Sequence, residues 1–344
     1  MRLEKTLFLL MLSLLLTLPS AQAKVFKIAT LSPDGSSWMV KMRGGGKEIE
    51  RLTQGRVKFK FYPGGVMGND QTVLRKINLG QLQGGAVPGG SLVRFARSSQ
   101  IYSLPLLFQS FDEVDFVRHY IDPIIVDELE QSGFVTFGLA EGGLAYLMSD
   151  SEITGVRDLK KKKIWVPDAD PNAIKVVESF GLSPIPLSIG EVLPSLQTGI
   201  IDSVTTSPIA AIALQWHTRV QYMTNLPLSY FIAVLAIDGK AFSKISEQDQ
   251  KLVRSVMGEV FQDIDLQNRQ DNIAAFSALQ ALGVELSHPS NDEVADWRAR
   301  ARMVTEQLLH TGEVSQPLYQ QVSGYLRTCR DQRENGGRSC RVVE

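Results

Sequence analysis

The chain has 344 residues, enough for two domains, and 44% of them are hydrophobic, as in ordinary globular proteins. Its formal net charge is −1, so no excess of positive charge argues for binding to nucleic acid or to an anionic membrane surface. Two cysteines are too few for a zinc site built from cysteine alone or for a disulfide-dense scaffold.

The first 23 residues have the pattern of a secretory signal peptide. Arg2 and Lys5 make a positive start, an apolar run follows from Thr6 to Leu18, and Ala21–Ala23 is an A-x-A cleavage site. The run of about 13 residues is too short to span a bilayer comfortably. We therefore expect cleavage after Ala23 and export to the periplasm, and a retained membrane anchor is the alternative.

The first half of the mature chain alternates strands with helices. Strands are predicted at 25–31, 56–62, 83–87, 134–140 and 145–149, and helices at 69–79 and 112–132. A further helical pattern from Trp38 to Leu52 contains Gly44–Gly46, although each glycine costs about 1 kcal/mol relative to alanine inside a helix. Either the helix breaks there or another element approaches its backbone closely.

The second half repeats this alternation, which implies crossover connections and largely parallel sheets. Strands are predicted at 163–166, 185–187, 201–205, 221–224 and 229–237, and helices near 172–180, 190–198, 207–216 and 291–311. A helical pattern without proline runs from Ser246 to about Leu282. At 1.5 Å per residue, some 36 residues reach about 54 Å, which predicts a spine helix that crosses two lobes.

Trp165 stands at the end of one predicted strand, after the basic run Lys160–Lys163. Pro167 ends the strand, and a helix is predicted to begin near Pro171. In open α/β sheets, ligands bind at this carboxyl edge. We therefore expect Trp165 to lie close to a ligand, with simple core packing as the alternative. The lysines are interpreted as a solvated turn, and the alternative is a docking contact.

Both cysteines, Cys329 and Cys340, lie near the C-terminus, and in an exported protein we expect a disulfide between them. Closing so short a loop would stabilise the tail by roughly 3 kcal/mol on the chain-entropy model. The tail from Arg327 to Glu344 is charged and contains glycine, which predicts irregular structure.

Motifs for catalysis are missing. The four histidines are scattered, and none lies in H-E-x-x-H; G-x-S-x-G, G-x-G-x-x-G and paired C-x-x-C motifs are also absent from the sequence. We therefore expect no enzymatic activity, no cofactor and no metal site.

Four segments, in the same order along the chain, resemble the extracytoplasmic solute receptors of TRAP transporters, the DctP-type binding subunits. They are Phe61–Gly68 (FYPGGVMG), Leu104–Phe108 (LPLLF), Asp158–Pro167 (DLKKKKIWVP) and Glu191–Asp202 (EVLPSLQTGIID). The resemblance covers the mature chain. It implies the two-lobed α/β fold of periplasmic binding proteins, with crossing hinge strands and a spine helix, and closure on the ligand by hinge motion.

The resemblance also suggests how the chain is divided. We expect lobe I to comprise 24–146 and about 235–265, lobe II to comprise 147–234 and about 266–326, and a tail to follow from 327 to 344. The receptor would deliver its ligand to TRAP membrane permease subunits. A periplasmic helical-repeat protein is a candidate accessory partner.

The pocket implied by the family is altered at its charged positions. The KIRVP strand normally offers an arginine that binds a carboxylate through two parallel hydrogen bonds, and this position is Trp165. A second arginine, found in sialic-acid-binding members, corresponds to Leu144. A carboxylate without a cationic partner in a closed cleft would lose several kcal/mol in desolvation. We therefore expect an apolar or amphipathic ligand.

Residues at these positions and in neighbouring loops are the candidate ligand contacts. They are Trp165, Leu144, Tyr146, Ile189, Thr206, Ser207, Val87 and Pro88, with Asn69, Asp70 and Trp38 in loops of the first lobe. Trp165 could also face a cationic head group. The alternatives are an ordinary organic anion held by Arg94, Arg97 or Arg219, and a periplasmic protein that senses its ligand.

Overall fold

The computed structural model describes residues 23–335 and Cys340. The predicted signal peptide, up to residue 22, lies outside the described residues, as do positions 336–339 and 341–344 of the tail. Among the residues described, no helix combines the length and the apolar character that a membrane span requires.

Strands and helices alternate along the chain and form two α/β lobes. The strands are β1 (Lys24–Thr30), β2 (Val57–Tyr62), β3 (Gly84–Pro88), β4 (Phe134–Val135), β5 (Leu139–Ser149), β6 (Trp165–Pro167), β7 (Ile185–Leu187), β8 (Ser203–Thr206), β9 (Tyr222–Asp238) and β10 (Glu285–Ser287). The helices are α1 (Ser37–Leu52), α2 (Asp70–Asn78), α3 (Phe111–Gln131), α4 (Pro171–Ser179), α5 (Ile189–Thr198), α6 (Pro208–Ala213), α7 (Gly239–Phe242), α8 (Glu247–Ala281), α9 (Asn291–His310) and α10 (Gln316–Glu334). The two-lobed α/β class expected from the sequence is confirmed.

One sheet runs through both lobes in the order β2-β1-β3-β9-β5-β8. β1 pairs parallel with β2 and β3, and β10 pairs parallel with β9. The long strands β5 and β9 pair antiparallel with each other, and they are the crossing strands. Beside the sheet, β6 and β7 form a parallel pair, which a single bridge from Ile164 to Ser203 joins to β8.

Each crossing strand is one continuous element, whereas the sequence pattern predicted two strands in each place. In β5 the pairing with β9 shifts register near Gly143, whose φ of +104° belongs to the left-handed region that glycine tolerates. Gly142 lies against Phe231, where a Cβ would come within 2.9 Å of the Phe231 side chain. These irregularities interrupt the alternation that a sequence pattern can detect, but they do not end the strand.

The long helix α8 has almost the predicted bounds, and it packs against α1 and β5. The glycine run in α1 does not break that helix. A Cβ at Gly45 would lie 2.8 Å from Val260 of α8, and one at Gly46 would lie 3.1 Å from Phe59 of β2. Of the two alternatives left open by the sequence, the close approach of neighbouring elements is therefore the one observed.

The C-terminal segment differs from expectation in two ways. Helix α10 continues to Glu334, so the prediction of an irregular tail from Arg327 is wrong over these residues, because Leu318, Val322 and Leu326 recur at helical spacing and are buried. The end of α9 and helix α10 also share an apolar cluster with Ile121 of α3, so this segment packs on the first lobe rather than on the second. The sulfur atoms of Cys329 and Cys340 lie within bonding distance.

Candidate functional site

A cavity of about 130 Å³ lies between the segment before α3 and the second lobe. Strands β6 and β9 and helix α4 form much of its wall, and the lining is predominantly apolar. The lining includes Pro105, Leu106, Leu147, Trp165, Val166, Val177, Phe180, Leu228, Phe231 and Trp297. Of the described residues that line it, Asp170 is the one that carries a charge.

Trp165 lines this cavity and is also packed in the core of the second lobe. Its side chain is 5% exposed and meets Trp216 edge to face, with 5.0 Å between ring centroids. The indole N–H donates to the carbonyl oxygen of Leu187 at 3.0 Å, so the ring's only hydrogen-bonding group is already satisfied. Trp165 therefore offers apolar surface to the cavity. Core packing and proximity to the cavity, two alternatives for this tryptophan from the sequence, occur together.

The turn between β6 and α4 places Asp170 at the wall of the cavity. Pro171 is the first helical residue, where its missing N–H has no cost, and Asp170 caps the helix. One carboxylate oxygen of Asp170 accepts from the backbone N–H groups of Asn172 and Ala173, at 3.0 and 3.1 Å. Burial raises the pKa of Asp170, whereas these two hydrogen bonds lower it.

The loop before α2 meets the same turn from the first lobe. The Asn69 amide donates to the carboxylate of Asp168 at 2.9 Å, and the Gln71 amide donates to the Asp168 carbonyl oxygen, also at 2.9 Å. Gly90 approaches so closely that a Cβ there would lie 2.1 Å from an oxygen of Asp170. These contacts hold the two lobes together at one edge of the cleft.

Asp70 is buried at this boundary, with 5% of its surface exposed. One of its oxygens accepts from the Ser91 hydroxyl at 3.1 Å, and the other has no hydrogen-bond partner among the described residues. Burial raises the pKa of Asp70 to about 7; the Ser91 hydrogen bond opposes this shift, and the negative charge of Asp168 adds to it.

Two further candidates, Leu144 and Tyr146, line a different cavity, of about 280 Å³, against α8. Tyr146 meets Phe276 of that helix edge to face at 5.2 Å, and burial raises the pKa of its phenol. From the same strand, Leu147 faces the 130 Å³ cavity. Successive side chains of a strand point to opposite faces. Leu144 and Tyr146 therefore lie on the face of β5 opposite to Leu147, away from the cavity that Trp165 lines.

The remaining candidates are dispersed. Val87 is buried in the first-lobe core, and Pro88 ends β3 beside it. Thr206 ends β8 and is paired with Tyr146, and Ser207 directly precedes α6. Ile189 packs in the core around Trp165, and Trp38 packs on the apolar cluster between α1 and α8. None of these six residues lines the 130 Å³ cavity.

The cations proposed as alternative anchors lie away from the cavity. Arg94, Arg97 and Arg219 are exposed, and the Arg97 guanidinium donates to the carbonyl oxygen of Gly312. In the basic run, Lys162 forms an ion pair with Asp150, and Lys163 donates to the carbonyl oxygen of Gly199. No lysine or arginine within residues 23–335 lines the cavity.

Sequence reasoning missed Asp170 and the crossing-strand residues Leu228 and Phe231. The dipeptide Asp170-Pro171 is a helix-start signal that could have identified the carboxylate. Leu228 and Phe231 carry no such signal, because their orientation depends on the irregular pairing of β9 with β5. Across the part of the chain that the structure describes, no three acidic, histidine or cysteine side chains are placed to hold a metal ion.

The model of the bacterial extracellular solute-binding protein family 7 (DctP) matches residues 29–311. Among curated proteins, the chain is 26% identical to the uncharacterized protein YiiZ of Salmonella typhimurium, over 62% of this chain and 65% of that protein. It is 22% identical to the sialic acid-binding periplasmic protein SiaP of Vibrio cholerae, over 70% of this chain and 75% of that protein. A TRAP periplasmic solute-binding protein of Xanthobacter autotrophicus, with bound β-D-galacturonate, has the same fold, with a TM-score of 0.79 and 19% identity over 88% of this chain and 99% of that chain.

Proposed function

The chain belongs to the bacterial extracellular solute-binding protein family 7, and we propose that its 130 Å³ cavity, whose lining is predominantly apolar, holds an apolar or amphipathic small molecule. It is a TRAP-type solute receptor and not an enzyme. Family members are periplasmic, bind small molecules and work with membrane permease subunits. For this chain, we propose export after cleavage at Ala23 and delivery of the ligand to such a permease.

The lining of the cavity carries the proposal about the ligand. Apolar side chains make up most of the wall, and the described lining residues provide no cation for a carboxylate. Small-molecule sites are typically lined by apolar side chains with a few placed polar groups, and the lining of this cavity has that character. An anionic ligand here would lose its hydration without gaining a charged partner, which costs several kcal/mol.

The second candidate is a receptor for an ordinary organic anion. It is favoured by SiaP, named as a sialic acid-binding protein, and by the Xanthobacter structure, which contains galacturonate. To bind such an anion, this chain would need to move a cation into the cleft, for example Arg94, Arg97 or Arg219.

We also propose a periplasmic helical-repeat protein as an accessory partner. This proposal rests only on the apolar character of the proposed ligand.

Extraction of the purified protein into organic solvent, followed by mass spectrometry, tests the apolar ligand. The proposal expects a hydrophobic molecule in the extract, in an amount approaching one per chain. Ala173→Leu should reduce that amount several-fold, because the added side chain fills part of the cavity from a helical position. Ala274→Leu, at an exposed position of α8, is the matched control and should leave the amount unchanged.

Sialic acid and galacturonate are the competing ligands in calorimetric titrations. Submicromolar binding of either acid that Ala173→Leu leaves unaffected would contradict the apolar ligand and favour the organic anion.

A further inference from the structure

Three aspartates lie along the boundary between the lobes: Asp70, Asp168 and Asp170. Their proximity follows from a chain of contacts, because Asn69 bonds to Asp168, Ser91 bonds to Asp70, and Gly90 touches Asp170. None of the three forms an ion pair with a lysine or arginine of the described chain. Of the three, Asp170 also lines the apolar cavity, so the boundary reaches the cavity wall at this residue.

Asp70 is the member of this group whose hydrogen bonding is incomplete. It is 5% exposed, and one of its oxygens is buried without a partner among the described residues. A buried acceptor that lacks a donor costs about 1–3 kcal/mol, and more when it is charged. An unsatisfied carboxylate at this boundary therefore favours the arrival of a hydrogen-bond donor, preferably a positively charged one.

The helix ends at this boundary argue against an anion. Helix N-termini attract anions through their free N–H groups and their positive dipole end. Here Asp70 is the first residue of α2, and Asp170 caps α4. The carboxylates of the chain thus occupy the places where an anionic ligand would bind, and they would repel it.

Building on the proposed function, we propose that the polar end of the ligand is a cation, such as an ammonium or amidinium group, which binds at Asp170 beside Asp70 while the apolar body fills the cavity. A cationic head would supply the charge that the three carboxylates lack. Trp165 lines the same cavity and presents an aromatic ring to the apolar body.

The cavity volume sets the size of the apolar body. An engineered apolar cavity of about 150 Å³ stays dry and binds benzene, and the cavity here, at about 130 Å³, is similar. A single six-membered ring is therefore a suitable probe.

Calorimetric titration with three probes of nearly equal size isolates the charge: benzylamine, benzyl alcohol and benzoate at pH 7.5 and low salt. We expect benzylamine to bind about tenfold more tightly than benzyl alcohol, because a charged donor strengthens the hydrogen bond to a carboxylate, and benzoate to bind most weakly.

Asp170→Asn should abolish the tenfold advantage of benzylamine over benzyl alcohol, and the start of α4 should stay intact because asparagine is an equally good helix cap. Asp238→Asn is the matched control: Asp238 caps α7, away from the cavity, and its replacement should preserve the advantage. Asp70→Asn is a second variant that should weaken benzylamine binding without changing a helix cap.

The outcomes separate this inference from the proposed function. Equal binding of benzylamine and benzyl alcohol would overturn the cationic head and leave the apolar cavity intact. Tightest binding of benzoate would overturn both. An amine advantage that persists in both Asp170→Asn and Asp70→Asn would show that the cation is held elsewhere.

Discussion

Two of the regions that bury charged side chains differ in how those charges are balanced. Between α3, β5 and α8, each buried charge has a partner of opposite sign: Arg269 forms hydrogen bonds to Glu141 at 2.7 Å and to Asp115 at 2.7 Å. In the same region, Arg118 bonds to Asp265 at 2.8 Å. At the edge of the cleft, by contrast, Asp70, Asp168 and Asp170 have no cationic partner among the described residues.

The paired region shows what burial of charge normally requires. Glu141 is 1% exposed, and burial raises its pKa while Arg269 opposes that shift. The pairing links the crossing strand β5 to the spine helix α8, across 128 residues of sequence. The carboxylates of the cleft are also held by hydrogen bonds, but no cation balances their charge, which supports a role in binding a cation.

The largest effect on stability is expected when a buried charge of the paired region loses its partner. Arg269→Ala leaves Glu141 buried without its partner and should lower the free energy of unfolding by about 3–5 kcal/mol. Urea denaturation measures this loss. Arg254→Ala is the control, because the Arg254–Glu130 pair is more than 40% exposed at both side chains and should contribute below about 1 kcal/mol. Equal effects of the two variants would contradict the distinction between buried and exposed pairs.

At the cleft, removal of a charge is expected to raise the free energy of unfolding rather than lower it. The pKa of Asp70 is about 7 in the fold and near its usual value when unfolded, so the native state binds the extra proton. The unfolding free energy should therefore fall as the pH rises from about 4 to 7, and then level off. Asp70→Asn removes this loss and should stabilise the empty protein by about 2–4 kcal/mol at pH 8.

Urea denaturation of Asp70→Asn at pH 5 and pH 8 checks the sign, since the gain should be clearly smaller at pH 5. Asp168→Asn is a useful companion, because removal of that charge should lower the pKa of Asp70. A gain from Asp70→Asn that does not change with pH would show that Asp70 is not the titrating group.

The smallest effect on stability, and a selective effect on binding, is expected at Gly90. An added methyl group would lie 2.1 Å from an oxygen of Asp170, so Gly90→Ala should hinder the approach of the lobes. We expect benzyl alcohol to bind several-fold more weakly, with the unfolding free energy changed by less than about 1 kcal/mol. Gly44→Ala, where nothing lies within 4 Å, is the control and should leave binding unchanged.

Local elements of the fold were predictable because their signals are local. The spine helix shows a helical period over 35 residues and follows Ser246, whose side chain caps it. The helix at Pro171 has a proline start. The tail helix α10 was missed because its charged composition masked the buried positions Leu318, Val322 and Leu326.

The candidate site was predictable only in part. The sequence places Trp165 at a strand end, and the structure puts it at the cavity wall. It could not place Leu144 and Tyr146, because only the packing of β5 against α8 determines which face of the strand borders which cavity. The sequence also did not identify Asp170, because the position of this residue at the lobe boundary depends on its contact with Gly90 of the other lobe.

By itself, the sequence determined the alternation of strands and helices, the long spine and the family segments, since these depend on residues that are close in the chain. Only the tertiary structure decided which side chains face the cavity and which charges are paired. The pairs Arg269–Glu141 and Asn69–Asp168 join residues 128 and 99 positions apart, and no local pattern encodes such distances. The chemistry of the cleft depends on these distant contacts, because burial and pairing set the cost of every charge there.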